Sequence, residues 1–68
     1  MTLVRINGTE EEITATTVAE LLVARGVDPA ARFLAIAVNG AVVRRAEWFS
    51  RELAAGDMVE IVRPLQGG

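Results

Sequence analysis

Two Asn-Gly dipeptides, Asn7-Gly8 and Asn39-Gly40, constrain the fold of this 68-residue chain more than any other feature. Both residues of an Asn-Gly pair tolerate positive φ, so the pair is the strongest short signal for a two-residue hairpin turn. Residues 2–7 (TLVRIN), which run into the first pair, alternate like a half-buried strand. The return strand is predicted at residues 10–14, so we expect the chain to open with a β-hairpin.

The segment 17–26 (TVAELLVARG) has the pattern of a short amphipathic helix. Thr17 and Glu20 have capping-box spacing, in which each side chain bonds the backbone N–H of the other residue. Gly26 can adopt the left-handed conformation that ends a helix, with Val27 packed back against it. The apolar stripe of this helix is Val18, Leu21 and Leu22.

Three further strands are predicted in the second half of the chain. Residues 34–40 and 41–44 lie on either side of the second Asn-Gly junction, and residues 58–63 (MVEIVR) form the last strand. The alternation within the strands predicts that one set of apolar residues faces the helix. That set is Val4, Ile6, Ile36, Val38, Val59 and Ile61.

The remaining segments are predicted turns. Residues 28–33 begin with Asp-Pro, a turn-initiating pair, and residues 54–57 (AAGD) precede the last strand. Residues 45–53 are expected to contain a helical or 3₁₀ piece, which brings Trp48 or Phe49 into the core. Leu53 is also expected in the core. Both aromatic residues are expected to pack in the protein rather than to contact a partner.

The order of these elements predicts an α+β fold. A hairpin followed by a helix must bury the helix stripe on the sheet, and the last strand is expected beside the first, in the middle. The result is one mixed sheet of four or five strands covered on one face by one main helix. This is the β-grasp, or ubiquitin-like, arrangement. We assign it to residues 1–63, and residues 64–68 to a flexible C-terminal Gly-Gly tail.

The composition excludes several classes of function. With no cysteine and no histidine, the chain has no disulfide, no Cys/His zinc site, no thiol nucleophile and no imidazole base. We therefore expect no metal site, no catalytic side chains and no bound cofactor. The net charge of −2, with Arg44-Arg45 as the largest basic cluster, argues against binding of nucleic acid. The N-terminus lacks the pattern of a signal peptide, and no apolar run could span a membrane, so a cytoplasmic domain is expected.

The sequence PLQGG at residues 64–68 is the candidate functional segment. A terminal Gly-Gly pair arises by chance with a frequency of about 0.5% at average glycine usage. Pro64 stops the last strand, since proline donates no ladder hydrogen bond. The five residues reach roughly 16–18 Å when extended, and glycine fits a narrow channel. We expect Pro64, Leu65, Gln66 and Gly67 to deliver Gly68 to a partner's active site, although a frayed end or an expression scar is the competing interpretation.

A docking face is predicted on the side of the sheet away from the helix. Its small or apolar members are Ala35, Ala37, Met58 and Val62, with Glu60 on the same side. A register shift of one residue would exchange the two faces. The arginines form a solvated rim (Arg5, Arg44, Arg45 and Arg63), of which Arg63 is the candidate for partner contact because it adjoins the tail.

Two stretches, VNGAVVRRAEW and LAAGDMVEIVRPLQGG, resemble the small sulfur carriers of the ThiS family. The resemblance extends to the INGTEEEI hairpin and the TVAELL helix, so it covers nearly the whole chain. Arg44 stands where many members carry a proline, a departure confined to that turn. The longer insertions expected of the molybdopterin-synthase small subunit are missing, which favours the thiamine branch.

The resemblance implies a chemistry for Gly68. An E1-like adenylyltransferase (ThiF-like) would use ATP to adenylate the Gly68 carboxylate. A persulfide, supplied by a cysteine desulfurase or a rhodanese-type enzyme, would displace AMP and leave a thiocarboxylate. A thiazole synthase (ThiG-like) would accept the sulfur during thiamine biosynthesis. The alternatives are a carrier for molybdopterin, cysteine or another metabolite, and a non-carrier ubiquitin-like binding module.

Overall fold

The computed structural model describes residues 1–63 and contains five strands, one α-helix and one 3₁₀ helix. In chain order these are β1 (Thr2–Ile6), β2 (Thr9–Ile13), α1 (Val18–Ala24), β3 (Ala35–Val38), β4 (Ala41–Val43), η1 (Arg45–Glu47) and β5 (Met58–Val62). Each lies inside or within a residue of its predicted segment. The predicted tail, residues 64–68, lies outside the described residues.

All five strands form one mixed sheet in the order β2-β1-β5-β3-β4. The strands β1 and β5 run parallel, whereas β1–β2, β3–β4 and β3–β5 are antiparallel. The last strand therefore occupies the centre beside the first, and the predicted β-grasp arrangement is confirmed. No helix among residues 1–63 is long and apolar enough to cross a membrane.

Both Asn-Gly pairs form the predicted hairpin turns. The φ angles are 49° at Asn7 and 85° at Gly8, and 53° at Asn39 and 83° at Gly40. Positive φ at both central residues is the requirement of the type I′ turn, whose twist matches that of the flanking strands. These two turns fix the register of β1 against β2 and of β3 against β4.

The N-terminus of α1 is capped by Thr17, as predicted. The backbone N–H of Glu20 donates to Thr17 Oγ1 at 3.2 Å. The reciprocal half of the predicted capping box is only weakly formed. The Glu20 carboxylate accepts mainly from the backbone N–H and the hydroxyl of Thr16, each at 2.8 Å, and Thr17 N–H makes the smallest contribution to lowering the pKa of Glu20. The extended backbone of Thr17 brings the preceding residue within reach of this carboxylate.

The first turn of α1 is also attached to the segment that follows η1. Val18 N–H donates to the carbonyl oxygen of Arg51 at 3.0 Å, and Ala19 N–H donates to that of Trp48 at 2.9 Å. Helix amides that have no partner within a helix therefore bond a neighbouring loop. This contact fixes the otherwise irregular segment between β4 and β5 against the helix.

At the C-terminal end of α1, Gly26 adopts φ 77°. Its N–H donates to Val23 O at 3.0 Å, while Val27 N–H donates to Leu22 O at 2.8 Å. This pair of bonds is the Schellman motif. Val27 is buried, which confirms the predicted packing of this residue against the helix end.

The core lies between α1 and one face of the sheet. The predicted helix stripe and five of the six predicted strand positions are buried, and Ile61 is half-buried against them. Trp48 and Leu53 complete the core as expected, but Phe49 does not belong to it: 73% of Phe49 is exposed, against 1% of Trp48. Consecutive residues after η1 point in different directions, and Trp48 takes the inward position because its Nε1 donates to Val43 O at 2.8 Å.

Arg45 does more than line a solvated rim. Although exposed, its guanidinium lies 4.5 Å from the centroid of the Trp48 ring and donates to the carbonyl oxygens of Pro29 and Ala31. The cation–π contact and these bonds tie the 28–33 turn to η1. The preceding residue, Arg44, has φ −69°, within the range that proline imposes, so the turn forms without the proline common in relatives.

Candidate functional site

The end of β5 is the point at which the body leads into the candidate functional segment. On one side, β5 pairs with β3 as far as Val62, opposite Ala35. On the other side, pairing with β1 extends only to Val59, opposite Ile6. The strand therefore projects beyond β1, and Arg63 follows it on the surface. The predicted sulfur-carrying residue Gly68, with Pro64, Leu65, Gln66 and Gly67, lies outside the described residues.

The uncovered face of the sheet has the register that the sequence predicts. Ala35, Met58 and Val62 are exposed, and Ala37 is half-buried. The alternative register, in which these residues would face the helix, is therefore wrong. Whether these residues and Arg63 contact a partner stays a prediction.

Val42 enlarges this face and was missed at the level of sequence. It pairs with Ala37 across β3 and β4 and is 76% exposed. The alternation of β4 carries the signal, because Val43 is buried and its neighbour must point to the opposite face. We call the set Ala35, Ala37, Val42, Met58 and Val62 the uncovered-face patch. The carboxylate of Glu60, opposite Ala37, lies within it.

A basic cleft lies beside the end of β5, on the helix side of the sheet. Arg63, Arg32 and Asp28 line this cleft of about 170 Å³. Its neighbour Phe33 has φ 60° and is 78% exposed, two residues before the Ala35–Val62 pair. A left-handed conformation is uncommon for an aromatic residue. Nothing in the sequence of the 28–33 turn distinguishes Phe33 from a core aromatic.

Two asparagine side chains hold β5 at its two ends. At the start of the strand, Asn39 Oδ1 accepts from Met58 N–H at 2.9 Å. Near the other end, Asn7 Oδ1 accepts from Ile61 N–H at 2.8 Å, and Asn7 Nδ2 donates to Ile61 O at 3.3 Å. The sequence predicted only turn chemistry for these residues. Side-chain bonds across 54 positions of sequence leave no local signal.

Asp57 is the buried carboxylate closest to this strand. Burial opposes its ionisation, but hydrogen bonds from Ala54 N–H and Asn39 Nδ2, with the charge of Arg51, hold the pKa of Asp57 below its ordinary value. Each of its two carboxylate oxygens accepts one of these hydrogen bonds, so Asp57 serves to hold the turn before β5. Between Met1 and Arg63, no cluster of three or more His, Cys, Asp or Glu side chains could hold a metal ion.

A small β-grasp body with one uncovered sheet face, and a central last strand that precedes Pro-Leu-Gln-Gly-Gly in the sequence, define the class of protein: a ubiquitin-like fold with the candidate functional segment after its last strand. The model of the ThiS family matches residues 4–68. The chain therefore belongs to the ThiS family.

Two solved structures are similar to this chain. One is the crystal structure of a thiamine biosynthesis protein (ThiS) from Geobacter metallireducens, with a TM-score of 0.80 and 27% sequence identity. That comparison covers 98% of this chain and 100% of the other. The other is a solution NMR structure of a thiamine biosynthesis protein from the same organism, with a TM-score of 0.79, 27% identity, and coverage of 98% and 88%. No curated protein matches the chain significantly.

Proposed function

We propose that this chain is a sulfur carrier protein of thiamine biosynthesis, and that the Gly68 carboxylate carries the sulfur. The observation that supports this most directly is the extent of the family match, which runs through Gly67 and Gly68. The crystal and NMR structures similar to this chain are both of a thiamine biosynthesis protein from Geobacter metallireducens. The carrier acts as a co-substrate and supplies no catalytic side chain of its own.

The first step activates Gly68. A C-terminal carboxylate has an ordinary pKa of roughly 3.3–3.7, so it is ionised and a poor electrophile at neutral pH. An E1-like adenylyltransferase overcomes this: a Gly68 oxygen attacks the α-phosphorus of ATP, and pyrophosphate leaves. The resulting acyl-adenylate has AMP as its leaving group.

The second step introduces sulfur. The terminal sulfur of an enzyme persulfide, formed by a cysteine desulfurase or rhodanese-type donor, bonds to the Gly68 carbonyl carbon as the bond to AMP breaks. The product is an acyl disulfide. A second thiol then attacks the enzyme's sulfur atom and forms a disulfide with it, which releases the thiocarboxylate on Gly68. A thiazole synthase takes this sulfur for the thiazole ring of thiamine.

The uncovered-face patch, together with Arg63, docks the E1-like enzyme. The patch lies on β3, β4 and β5, and β5 leads directly to residues 64–68, so a protein bound to this face lies beside the emerging segment. Its alanines allow a close approach, while its valines and Met58 supply apolar area. Glu60 and Arg63 add charged groups that fix the orientation of the partner.

Intact-mass spectrometry tests the proposal. The chain is incubated with ATP, an E1-like enzyme and a persulfide donor, and is then digested to isolate the peptide that contains Gly68. The expected result is a mass gain equal to the replacement of one oxygen by sulfur, confined to that peptide and absent without ATP. Deletion of Gly68 should abolish the gain and leave the melting temperature unchanged. If the enzyme loads a ThiS protein in a parallel reaction but leaves this chain unmodified, the proposal is wrong.

A further inference from the structure

The two Asn-Gly turns have the same local chemistry. In each, the backbone nitrogen of glycine lies next to an asparagine carboxamide, and glycine has no Cβ to hinder its attack on that group. Both pairs are exposed, and each follows a buried β-branched residue, Ile6 or Val38. The φ angles are 49° and 85° in Asn7-Gly8 and 53° and 83° in Asn39-Gly40. A difference in reactivity between the pairs must therefore come from what the two carboxamides contact.

The carboxamide oxygens have equivalent partners. Asn7 Oδ1 accepts from Ile61 N–H at 2.8 Å, and Asn39 Oδ1 accepts from Met58 N–H at 2.9 Å. Both bonds join a neutral acceptor to a backbone amide of β5, so their strengths are similar. The oxygens therefore do not distinguish the two sites.

The carboxamide nitrogens have different partners. Asn7 Nδ2 donates to the neutral carbonyl oxygen of Ile61 at 3.3 Å, in an exposed position. Asn39 Nδ2 donates to the ionised carboxylate of Asp57 at 3.0 Å, in a partly buried position. A bond to a charged acceptor is roughly twice as strong as a neutral one. The other oxygen of Asp57 is held by Ala54 N–H at 2.8 Å, so this carboxylate cannot follow the Asn39 side chain if it rotates.

The nitrogen is the atom that leaves when such a pair deamidates. The glycine backbone nitrogen loses its proton and bonds to the asparagine Cγ, while the Cγ–Nδ2 bond breaks and Nδ2 leaves as ammonia. Water then opens the cyclic succinimide at either carbonyl, which gives aspartate or isoaspartate. The side chain must first rotate out of its hydrogen bonds, so a stronger Nδ2 bond slows the reaction. The charge of Asp57 also opposes the anionic nitrogen nucleophile at Gly40.

We infer that Asn7-Gly8 is a site of spontaneous deamidation in the folded protein, and that Asp57 protects Asn39-Gly40 from the same reaction. The aspartate formed at position 7 still accepts from Ile61 N–H, but it presents an oxygen in place of the donor to Ile61 O. Isoaspartate also adds a backbone atom to a two-residue turn. The modification therefore weakens the attachment of the β1–β2 turn to β5. It requires only water, so it does not depend on the proposed function.

Peptide mapping by mass spectrometry measures the reaction at each site. The full-length chain is incubated at mildly alkaline pH, sampled over time and digested at acidic pH, where deamidation is slow. The mass gain of amide-to-acid conversion is then followed in the peptides that contain Asn7 and Asn39. In the folded chain, Asn7 should react at least about fivefold faster, which is the difference expected between a neutral and a charge-assisted bond. In concentrated urea the two rates should be similar, because the neighbouring residues are alike.

Two variants separate protection by Asp57 from stability in general. In Asp57→Asn the charge is lost and one oxygen cannot accept from both Ala54 N–H and Asn39 Nδ2, so the rate at Asn39 should rise about fivefold relative to that at Asn7. Gly26→Ala is the matched control, because it destabilises the chain through the left-handed φ of 77°. No described atom lies within 4 Å of the added Cβ, so the ratio of the two rates should stay unchanged.

Equal rates at the two sites of the folded chain, or a faster reaction at Asn39, would overturn the inference. It would also be overturned if Asn7 stayed unmodified in the folded chain while the sample in urea reacted. A ratio of rates in Asp57→Asn equal to that in Gly26→Ala would remove the protective role of Asp57. None of these measurements involves a partner enzyme, so their failure is distinct from failure of the proposed function.

Discussion

Asn39 Nδ2 donates a 3.0 Å hydrogen bond to Asp57 Oδ1, which joins the β3–β4 turn to the turn before β5. The second oxygen of Asp57 accepts from Ala54 N–H at 2.8 Å. Both bonds favour the ionised carboxylate, which is buried, so the contribution of Asp57 to stability depends on its charge.

Asp57 should therefore make stability fall in acid. Its pKa in the folded state is lower than the ordinary value of 3.8, so its contribution is complete above that value. The contribution disappears as the pH falls through the lower, folded-state pKa, because the unfolded chain binds the proton first. Urea unfolding from about pH 6 to about pH 3 should show the free energy of unfolding decreasing less steeply in Asp57→Asn than in the unaltered chain.

At neutral pH, Asp57→Asn should cost about 1–3 kcal/mol, since it weakens bonds to two partners in a buried turn. Glu12→Gln is the control, because Glu12 is an exposed carboxylate on β2 and its change should stay within about 0.5 kcal/mol. Parallel pH profiles for Asp57→Asn and the unaltered chain would contradict this prediction.

Trp48 and Phe49 should differ greatly in their contributions to stability. Trp48→Ala removes a fully buried indole and is expected to cost about 3–5 kcal/mol, whereas Phe49→Ala should cost less than about 0.5 kcal/mol. Trp48→Phe keeps a ring but loses the bond to Val43 O, so an intermediate loss is expected. Chemical denaturation measures the free energy of unfolding of all three variants. Similar losses in Trp48→Ala and Phe49→Ala would contradict the burial of Trp48 and the exposure of Phe49.

Gly26→Ala should destabilise the chain through backbone conformation alone. No atom lies within 4 Å of the position that a Cβ would take, so there is no steric clash. The left-handed φ of 77° costs an alanine about 1–2 kcal/mol. Gly26→Asn should cost less, since asparagine tolerates this region. Thermal unfolding should rank the unaltered chain first, Gly26→Asn second and Gly26→Ala last; a reversed order of the two variants would contradict the Schellman motif.

Glu20 should titrate below its usual range. The hydrogen bond from Thr16 N–H, followed by that from the Thr16 hydroxyl, lowers the pKa of Glu20 from its ordinary value of 4.5. In Thr16→Val only the hydroxyl bond is lost, so NMR titration should place the Glu20 pKa between the unaltered value and the ordinary one. Thr17→Val removes the cap oxygen and serves as the control, because that oxygen bonds the Glu20 N–H rather than its carboxylate. A larger change of the Glu20 pKa in Thr17→Val than in Thr16→Val would show that the carboxylate does not bond Thr16 as described.

Val62 and Val23 provide a matched test of the uncovered-face patch. They are 60% and 64% exposed, and lie on opposite sides of the molecule, on β5 and on α1. Each change to glutamate should alter stability by less than about 1 kcal/mol. Calorimetric titration with the E1-like enzyme should show at least about tenfold weaker binding for Val62→Glu, as expected of a central apolar contact, and unchanged binding for Val23→Glu. Equal affinities would remove the patch from the proposed interface.

The elements of the fold were predictable because their signals are local. Asn-Gly pairs specify hairpins, alternation specifies strand faces, and Gly26 with Val27 specifies the helix end, so the sheet and its uncovered face followed from the sequence. The exposure of Phe49 was not predictable, because both aromatic side chains suit a core, and the contacts that favour Trp48 are its bond to Val43 O and its cation–π contact with Arg45. The sequence also could not show that the Glu20 carboxylate would bond mainly Thr16, because the adjacent Thr17 offers the same kinds of donor.

In the candidate site, too, features with a local sequence signal were predictable and long-range contacts were not. Alternation predicted the exposed positions Ala35, Met58 and Val62 correctly, and it also carried the signal for Val42. The Asn7–Ile61 contact could not be read from the sequence, because it joins the first turn to the last strand. The bonds from Arg45 to the carbonyl oxygens of Pro29 and Ala31 were likewise not predictable, because they join residues 14 and 16 positions apart in the sequence.

The central position of β5 has a consequence during synthesis on the ribosome. Until residues 58–62 are available, the hairpins β1–β2 and β3–β4 have no strand to join them into one sheet, because β5 pairs with both β1 and β3. Formation of the sheet must wait for long-range pairing late in translation. A chain that lacks β5 would therefore have two hairpins and no single sheet, so the strand that completes the fold is also the one that precedes residues 64–68.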